Sequence, residues 1–388
     1  MSPETSIELG EIMATKSASV DPSKFVEEIF DLYSIPSHDK GEPEILAGSA
    51  IGSAKQIVET GDVLLSKIVP HIRRSWIVGK ARGRRLIASG EWIVFRNARA
   101  NPAYLRQVLI SDPFHKQFMN TVAGVGGSLL RARPAHVAKI AIPLPTLAEQ
   151  RRIAEVLVRA EELRAKRRAA IAQLDSLTQS IFLDLFGNPA TNPKGWPIRR
   201  IGDLLESASY GTSEKSAAIG EFPVLRMNNI TRTGAMDLSD LKFMDLEARD
   251  HDRYLVRAGD VLFNRTNSPE LVGKTTIFRE SKPMAYAGYL IRLRTNQEND
   301  PEYLSAFLNT GYAKRMLRGM CKSIIGMANI NAKEVQAMKI PQTPLKLQRE
   351  FARRVTAVEK LKTAHRASLA ELDALFATLQ HRAFRGEL

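Results

Sequence analysis

Apolar residues recur alternately four and three places apart in two long stretches, one starting at Ile153 and the other at Phe351. Such spacing aligns the apolar positions along one side of a helix and is typical of a coiled-coil seam. The first stretch ends at Gly187 and Pro189, and the second ends at Gly386. The first seam comprises Ile153, Leu157, Ala160, Arg164, Arg167, Ile171, Leu174, Thr178, Ile181 and Leu185. The second comprises Phe351, Val355, Val358, Lys362, His365, Leu369, Leu372, Phe376, Leu379 and Ala383. We therefore predict two long helices, both interrupted by basic residues at the same two places.

The two stretches belong to an internal repeat with an offset of 198 residues, the separation of Gly61 from Gly259. Gly61–Leu64 and Gly259–Leu262 both read GDVL. Residues 142–186 align with residues 340–384 without a gap, and 15 of the 45 positions are identical. Similarity over this length indicates a duplicated structural unit. We therefore predict a tandem duplication in which the two seams are able to pair with each other.

The parts that precede the long helices have a mixed pattern. Short β-type runs such as Trp92–Arg96 and Tyr289–Arg294 alternate with turns rich in Gly, Asn, Asp and Pro. Helix-like segments follow at 104–122 and 301–322. We predict an α+β protein with two mixed α/β domains, each followed by a long helix. The predicted boundaries are 1–141 and 188–339 for the domains, and 142–187 and 340–388 for the helix regions.

The charge balance favours a polyanionic partner. The chain has 56 Lys and Arg against 42 Asp and Glu, which gives a net charge of +14 and a pI near 9.8. A membrane surface would also attract this charge, but it would need a basic amphipathic helix with large apolar anchors, which the termini lack. No run of about 18 apolar residues is present, and Glu8, Glu11 and Asp21 lie where a signal peptide needs an apolar core. We expect a cytoplasmic location and no membrane association.

Two basic runs are candidates for contact with phosphates. Residues 71–85 contain no acid, and residues 312–322 contain none either. The candidates in the first run are Arg73, Arg74, Lys80, Arg82, Arg84 and Arg85, and those in the second are Lys314, Arg315 and Arg318. A solvated basic face is the simpler alternative for each run, but the presence of one run in each half favours nucleic acid.

Motifs for catalysis are incomplete. Asn101–Tyr104 reads NPAY, which resembles the loop of amino-methyltransferases, but Ala103 stands where Pro is usual and no cofactor fingerprint precedes it. Val272–Thr276 resembles the tail of a phosphate-binding loop, but that pattern requires Gly at the position of Ser268. The histidines lack ligand spacing, and a single cysteine, Cys321, provides neither a disulfide framework nor a zinc site. We therefore predict no catalytic residue, no metal site and no cofactor bound by this chain.

The arrangement resembles the specificity subunit of type I restriction and modification systems. The central block of that family is matched by IPLPTLAEQRRIAEVL at 142–157 and LTQSIFLDLFGNP at 177–189. Residues 32–45 with 61–78, and 222–244 with 259–278, resemble two classes of its target-recognition domains. The distal PLKLQREFARRV at 344–355 is less similar to the hallmark than the central block is.

The resemblance implies that each recognition domain reads one half of an asymmetric bipartite site in double-stranded DNA. It implies that the helices pair antiparallel, separate the domains and dock DNA adenine methyltransferase subunits, expected to be two, together with restriction and translocase subunits. S-adenosylmethionine, ATP and Mg would then be bound by the partners. The alternatives from the sequence are a single-chain methyltransferase or nuclease, and a coiled-coil scaffold that binds only protein.

Further site residues follow from this interpretation. In the second domain the additional DNA-binding candidates are Arg226, Asn228, Asn229, Arg265 and Lys274, with both Asn residues as candidates for pairing with adenine. The residues expected to form the spacer helices and to dock partners are Gln150, Arg151, Ile153, Leu157, Ile171, Leu174, Gln348, Arg349, Phe351, Val355, Leu369 and Leu372. We expect Asp62 and Asp260, in the repeated GDVL element, to be structural.

Overall fold

The computed structural model describes residues 6–14, 18–124, 130–268, 270–324 and 327–388. The chain divides into two compact units. Unit 1 comprises the chain through Lys166 together with Leu369–Leu388, and unit 2 comprises Arg167–Ser368. Within the described residues, no helix combines the length and the apolar character that crossing a membrane requires.

Unit 1 contains two main sheets and a group of short helices. Its strands are β1 Ser6–Glu8, β2 Ser19–Val20, β3 Ile29–Tyr33, β4 Glu44–Ala47, β5 Lys55–Ile57, β6 Val63–Ser66, β7 Ser75–Ile77, β8 Arg85–Ala88, β9 Trp92–Phe95, β10 Val122–Ala123, β11 Arg131–Ala132 and β12 Ala141–Pro143. Its helices are α1 Ile35–Lys40, α2 Pro102–Leu109, α3 Asp112–Met119 and α4 Pro134–Val137, followed by the start of α5 Leu147–Phe186. Single 3-10 turns lie at Leu9–Glu11, Pro22–Lys24 and Gly48–Ala50.

Unit 1 has two main sheets, and the smaller one buries apolar residues on both faces. One has the strand order β2-β5-β8-β3-β4 and the other β7-β6-β9, while β1 pairs with β12 and β10 with β11. All four residues of β6 and of β9 are buried, as their unbroken apolar sequences require. The predicted helix at 104–122 is two helices, because Ser111 caps a new helix by accepting a hydrogen bond from the backbone N–H of Phe114.

Unit 2 has a similar composition of elements. Its strands are β13 Ile198–Arg200, β14 Leu205–Tyr210, β15 Phe222–Leu225, β16 Lys242–Met244, β17 Leu255–Val256, β18 Val261–Asn264, β19 Thr266–Asn267, β20 Thr275–Ile277, β21 Met284–Tyr286, β22 Leu290–Thr295, β23 Lys322–Ile324, β24 Met327–Asn329 and β25 Lys339–Pro341. Its helices are α6 His251–Tyr254, α7 Pro301–Leu308, α8 Gly311–Met320 and α9 Ala332–Ala337, followed by the start of α10 Leu345–Ala383. The 3-10 turns are Ile201–Leu204, Met227–Asn229 and Ala248–Asp250.

The sheets of unit 2 have the orders β14-β22-β18-β20, β16-β15-β21-β17 and β19-β24-β23, and β13 pairs with β25. A helix break occurs here too, where Thr310 caps α8 by accepting from the backbone N–H of Ala313. The prediction of a mixed α/β protein with a long C-terminal helix is thus confirmed.

The repeated GDVL element makes the same set of contacts in each unit. Gly61 and Gly259 have φ angles of 91° and 95°, in the left-handed region that glycine adopts without strain. Asp62 accepts hydrogen bonds from the Nε and the Nη2 of Arg96, at 2.7 and 2.6 Å. Asp260 accepts hydrogen bonds from the same two atoms of Arg294, at 2.8 and 2.9 Å. Both aspartates are buried, and each also caps the turn before it through the backbone N–H three residues earlier.

Pairs of an arginine with a buried carboxylate fix a turn against the neighbouring strand. Asp62 and Asp260 therefore have structural roles, and their partners Arg96 and Arg294 are separated by the same 198 residues.

The long helices contribute to the core of each unit. In unit 1, Ile153, Ala154 and Leu157 of α5 share a buried cluster with Phe376 and Ala383 of α10. In unit 2, Phe182 and Phe186 of α5 pack around Phe351 of α10 and Tyr303 of α7, with ring centroids 4.7 to 5.8 Å apart. Aromatic burial of this extent is a large contribution to the stability of unit 2.

Candidate nucleic-acid interface

The arginines of the basic run in unit 1 are paired with carboxylates from distant parts of the chain. Arg84 donates to buried Asp31 at 2.6 Å, and Arg85 donates from its Nε to Glu28 at 2.9 Å. The guanidinium of Arg85 also lies 4.5 Å from the ring centroid of Phe25. Each carboxylate neutralises one of the positive charges that the sequence offers to phosphates.

The other arginines of this run follow the same pattern. Arg74 binds Asp39 with two hydrogen bonds of 2.8 and 2.7 Å, and this interaction with Arg74, aided by His38, holds the pKa of Asp39 below its usual range. Arg73 lies 2.6 Å from Asp112.

Two cations of the run lack a carboxylate partner within the described chain. Lys80 and Arg82 are exposed, and within the described chain neither forms an ion pair. They line a cleft of 690 Å³ together with Arg84, Tyr33 and Trp76. The rings of Tyr33 and Trp76 meet edge to face, with centroids 4.6 Å apart. Cations beside aromatic rings are suited to nucleic acid, since they offer charge to phosphates and flat surfaces to bases.

In unit 2, the segment 225–232 uses one of its asparagines to fold the chain. Asn229 is buried, accepts from the backbone N–H of Arg226 at 2.8 Å, and donates to the carbonyls of Asp237 and Asp240. Its amide is fully occupied, so Asn229 holds the loop instead of presenting a free edge to adenine. Asn228 beside it is exposed, whereas Arg226 is paired with Asp240 at 2.8 Å.

Three other DNA-binding candidates of unit 2 are held by carbonyls, an amide or an aromatic ring. Arg265 donates to the side chain of Asn329 at 3.0 Å and lies over the ring of Tyr210. Lys274 donates to the carbonyls of Met227 and Ile230, and Lys314 donates to that of Gly273. Arg315 and Arg318 are exposed on α8. These positive charges are therefore not cancelled by the groups that position them.

The predicted spacer residues fall into three groups. Gln150 is buried, accepts from the backbone N–H of Asn101 at 2.7 Å and donates to the carbonyl of Pro145 at 2.8 Å. Gln348 makes the equivalent bonds to Asp300 and Thr343, both at 2.8 Å. Ile153, Leu157, Phe351 and Val355 are buried, Ile171, Leu174, Leu369 and Leu372 are half-buried, and Arg151 and Arg349 are exposed.

The basic residues in the seams have nearby partners. In unit 1, Arg164 donates to Asp373 at 2.5 Å and lies over the ring of Phe376. In unit 2, Lys362 lies 3.0 Å from Asp175 and 2.8 Å from Glu359. The Arg164–Asp373 pair and the Lys362–Asp175 pair involve equivalent positions of the repeat. Repeated identity at Asp175 and Asp373 is the sequence signal that could have identified these partners.

The NPAY segment, which resembles a methyltransferase loop in sequence, has a structural role in this fold. Asn101 of the NPAY segment caps α2 by accepting from the backbone N–H of Tyr104 at 3.0 Å, and Tyr104 is buried. The segment is thus a helix start and a packing element. Among the described residues, no group of three or more His, Cys, Asp and Glu side chains is placed to hold a metal ion.

Comparisons with known proteins agree with this arrangement. Residues 193–374 match the model of the type I restriction modification DNA specificity domain. The chain is 26% identical over 284 residues to the type I restriction enzyme EcoKI specificity subunit of Escherichia coli (strain K12). It is 23% identical over 336 residues to the type I restriction enzyme StySPI specificity subunit of Salmonella potsdam. Residues 193–374 are therefore similar to a type I specificity domain, and the chain as a whole resembles type I specificity subunits.

Coverage differs among these relatives. The Escherichia coli match spans 68% of this chain and 61% of that subunit, which is less than two thirds of its length. The Salmonella match spans 80% of this chain and 72% of that subunit.

Two solved structures have a fold similar to that of this chain. One is a type I restriction-modification system S subunit from M. genitalium, with a TM-score of 0.61 and 12% identity, covering 98% of this chain and 96% of that one. The other is a chain from a study of complex assembly and conformational transition of the type I R-M system. Its TM-score is 0.57 and its identity 23%, and the match covers 99% of this chain and 98% of that one. At these identities the likeness establishes the fold.

Proposed function

We propose that this chain is the non-catalytic DNA-recognition subunit of a type I restriction-modification complex and that it reads an asymmetric bipartite site. Unit 1 would read one half of the site and unit 2 the other. The observation that carries the proposal is the shared framework, in which Asp62 with Arg96 and Asp260 with Arg294 make the same contacts at an offset of 198 residues. Around this constant frame the loops that face outward differ in sequence, as two readers of different half-sites require.

Two readers in one chain have a physical advantage. A short half-site offers limited discrimination, since a mismatched base pair costs about 1 to 3 kcal/mol. Joining the readers adds their discrimination, provided that the spacing between them is fixed.

The two long helices would supply that fixed spacing by pairing antiparallel, as the products of a tandem duplication. Contacts inside each unit support this. Arg164 contacts Asp373, and Lys362 contacts Asp175, so a cation and a carboxylate exchange roles between the two copies. Reciprocal pairs of this kind are what an antiparallel arrangement of two like helices produces.

Exposed leucines support docking of two like partners on these helices. Leu163 and Leu361 are 41% and 51% exposed, and they occupy equivalent positions. Leu177 and Leu375, at 40% and 50%, are equivalent to each other as well. Within unit 1 the leucines are Leu163 and Leu375, and within unit 2 they are Leu361 and Leu177. Each pair would receive one DNA adenine methyltransferase subunit, and restriction and translocase subunits would join that assembly. These partners would bind S-adenosylmethionine, ATP and Mg, and the complex would act in the cytoplasm.

Docking is tested by changing one leucine pair at a time. The variant Leu163→Glu with Leu375→Glu should lower the methyltransferase content from two subunits to one, because charge on an apolar contact opposes its burial. The control is Leu183→Glu, which changes a leucine of α5 that is 48% exposed and whose equivalent is His381. Native mass spectrometry of the assembled complex measures the stoichiometry. Two bound subunits in the double variant would exclude this surface.

The recognition function is tested by methylome sequencing of the host with and without the gene. Loss of modification at one bipartite motif is expected on deletion. Isothermal titration of the purified chain with S-adenosylmethionine tests the enzymatic alternative, and micromolar binding would overturn the non-catalytic assignment.

The spacer is tested by lengthening both helices in phase. Seven residues inserted after Ala169 and seven after Ala367 preserve the heptad and add about 10 Å at about 1.5 Å per residue. The unspecified gap in the methylated motif should grow by about three base pairs, at about 3.4 Å each, while both half-sites stay unchanged. An unchanged gap in a variant that still modifies DNA would show that the helices do not set the distance.

A further inference from the structure

Four cations of unit 2 lie near the loop that joins β19 to β20: Arg232, Lys274, and Lys314 and Arg318 of α8. Lys314 of α8 reaches this loop and donates from its Nζ to the carbonyl of Gly273 at 2.5 Å. Gly273 has a φ of 78°, and a Cβ there would lie 2.7 Å from a methyl group of Leu317. Both the backbone conformation and the close approach of α8 therefore require glycine.

The adjacent Lys274 is fixed from the opposite direction. Its Nζ donates to the carbonyls of Met227, at 2.7 Å, and of Ile230. The backbone on both sides of the lysine is bonded to Asn264, since the N–H of Gly273 donates to the Asn264 carbonyl and the N–H of Asn264 to the Lys274 carbonyl, both at 2.8 Å. The two ammonium groups thus have set positions before any ligand arrives.

Charge repulsion within the cluster is not relieved by an ion pair. Burial, and then the charges of Lys274 and Arg318, lower the pKa of Lys314 to about 8. Burial, and then the charge of Arg232, lower the pKa of Lys274. In the part of the chain that the structure describes, no carboxylate lies within ion-pair distance of these four cations. Exposed Glu270 interacts with Arg318 and Arg232 only at longer range.

We propose that Arg232, Lys274, Lys314 and Arg318 form an anion site that binds one phosphodiester group of the DNA backbone. The inference rests on the proposed function, and it adds the place in unit 2 where the phosphate is held. Each ammonium has three donors and each guanidinium five, so hydrogen bonds remain available after the contacts to the carbonyls. Lys274 and Lys314 are half-buried, and Arg232 and Arg318 are exposed at the edge of the site. An anion completes the site because half-buried lysines without a counter-charge are costly, and a phosphate offers several acceptor oxygens at once.

A backbone phosphate contact positions the duplex without reading its sequence. This cluster would therefore set the register of the second half-site while neighbouring loops read the bases.

The first test measures the salt dependence of binding. Fluorescence anisotropy with the full chain and a random-sequence duplex is compared between the natural protein and the variant Lys314→Met with Arg318→Met. The slope of log affinity against log salt should decrease by about 0.9 in magnitude, the value for one neutralised phosphate. The matched control is Lys282→Met with Lys333→Met, which removes the same charge from two exposed lysines elsewhere in unit 2. If both variants change the slope equally, net charge explains the result and the site is disproved.

The second test measures how the affinity for DNA depends on pH. Above pH 8 the neutral amine of Lys314 must take up a proton to bind phosphate, so affinity should weaken by a factor approaching ten for each pH unit. Arginine stays charged throughout this range, so Lys314→Arg should bind with a flatter pH profile than the natural protein, and any remaining slope would come from Lys274. A pH profile identical in the Lys314→Arg variant and the natural protein would overturn the assignment.

These outcomes separate the site from the function on which it rests. If the host methylome contains a bipartite motif that depends on this gene, the proposed function holds whatever the cluster does. If that motif is present and neither the slope nor the pH profile responds to the variants, the phosphate lies elsewhere.

Discussion

The basic regions of the two units both contain many Lys and Arg residues, but the groups that hold these cations differ. In unit 1, Arg74, Arg84 and Arg85 face carboxylates. In unit 2, Lys274 and Lys314 face backbone carbonyls, which position a cation without cancelling its charge. The density of Lys and Arg in a sequence therefore does not give the local field. That field depends on which acids the fold brings to the same place.

The largest expected effect tests whether the two units share one framework beneath this difference. Asp62→Ala leaves Arg96 without its buried partner, and Asp260→Ala does the same to Arg294. Each change should lower the free energy of unfolding by about 3 kcal/mol, because three hydrogen bonds to a buried carboxylate are lost at about 1 kcal/mol each. Urea unfolding followed by circular dichroism measures this loss. A loss in one unit without a comparable loss in the other would break the structural equivalence.

The basic run of unit 1 should separate into stabilising arginines and free cations. Arg84→Ala leaves the buried carboxylate of Asp31 unpaired and should cost about 2 kcal/mol of unfolding free energy, with little change in the salt dependence of DNA binding. Lys80→Ala with Arg82→Ala should leave stability within about 0.5 kcal/mol and flatten the salt slope. The reverse pattern would show that Arg84 binds the DNA and that the exposed pair does not.

The smallest expected effect concerns Lys314 in the cluster of unit 2, whose titration should raise the free energy of unfolding at alkaline pH. The pKa of Lys314 is about 8 in the folded chain and near 10.5 when unfolded, so the unfolded chain binds more protons between these values. Stability should therefore rise with pH across this window, by about 1 to 2 kcal/mol given partial exposure. Comparing unfolding of the natural protein and Lys314→Met at both ends of the window isolates the contribution. No difference between them would mean that the lysine titrates as if in water.

The sequence was sufficient for features that are periodic or repeated. The 4-3 alternation predicted α5 and α10, and the GDVL repeat predicted a shared turn at Gly61 and Gly259, because helical periodicity and tight turns are determined by neighbouring residues. The breaks at Ser111 and Thr310 were missed, although both residues are common helix caps.

The site was less predictable because its partners are far apart in the chain. Asp31 lies 53 residues before Arg84, and Glu28 lies 57 residues before Arg85. No local pattern relates such pairs. Asn229 is polar and lies in a loop, which suggested contact with a base, yet three hydrogen bonds hold its amide within the chain. Only the folded loop distinguishes it from exposed Asn228.

The second basic position of the seams, occupied by Arg167 in one helix and His365 in the other, determines which nitrogen of the histidine carries its proton. In unit 2, Arg167 and His365 lie 198 residues apart, and the Nη1 of the arginine is 2.6 Å from the Nδ1 of the histidine. A guanidinium can only donate, so this nitrogen must accept, and the proton of the neutral imidazole must be on Nε2. The helix segments of unit 2 therefore depend on a single histidine tautomer at the place where the repeat meets its own counterpart.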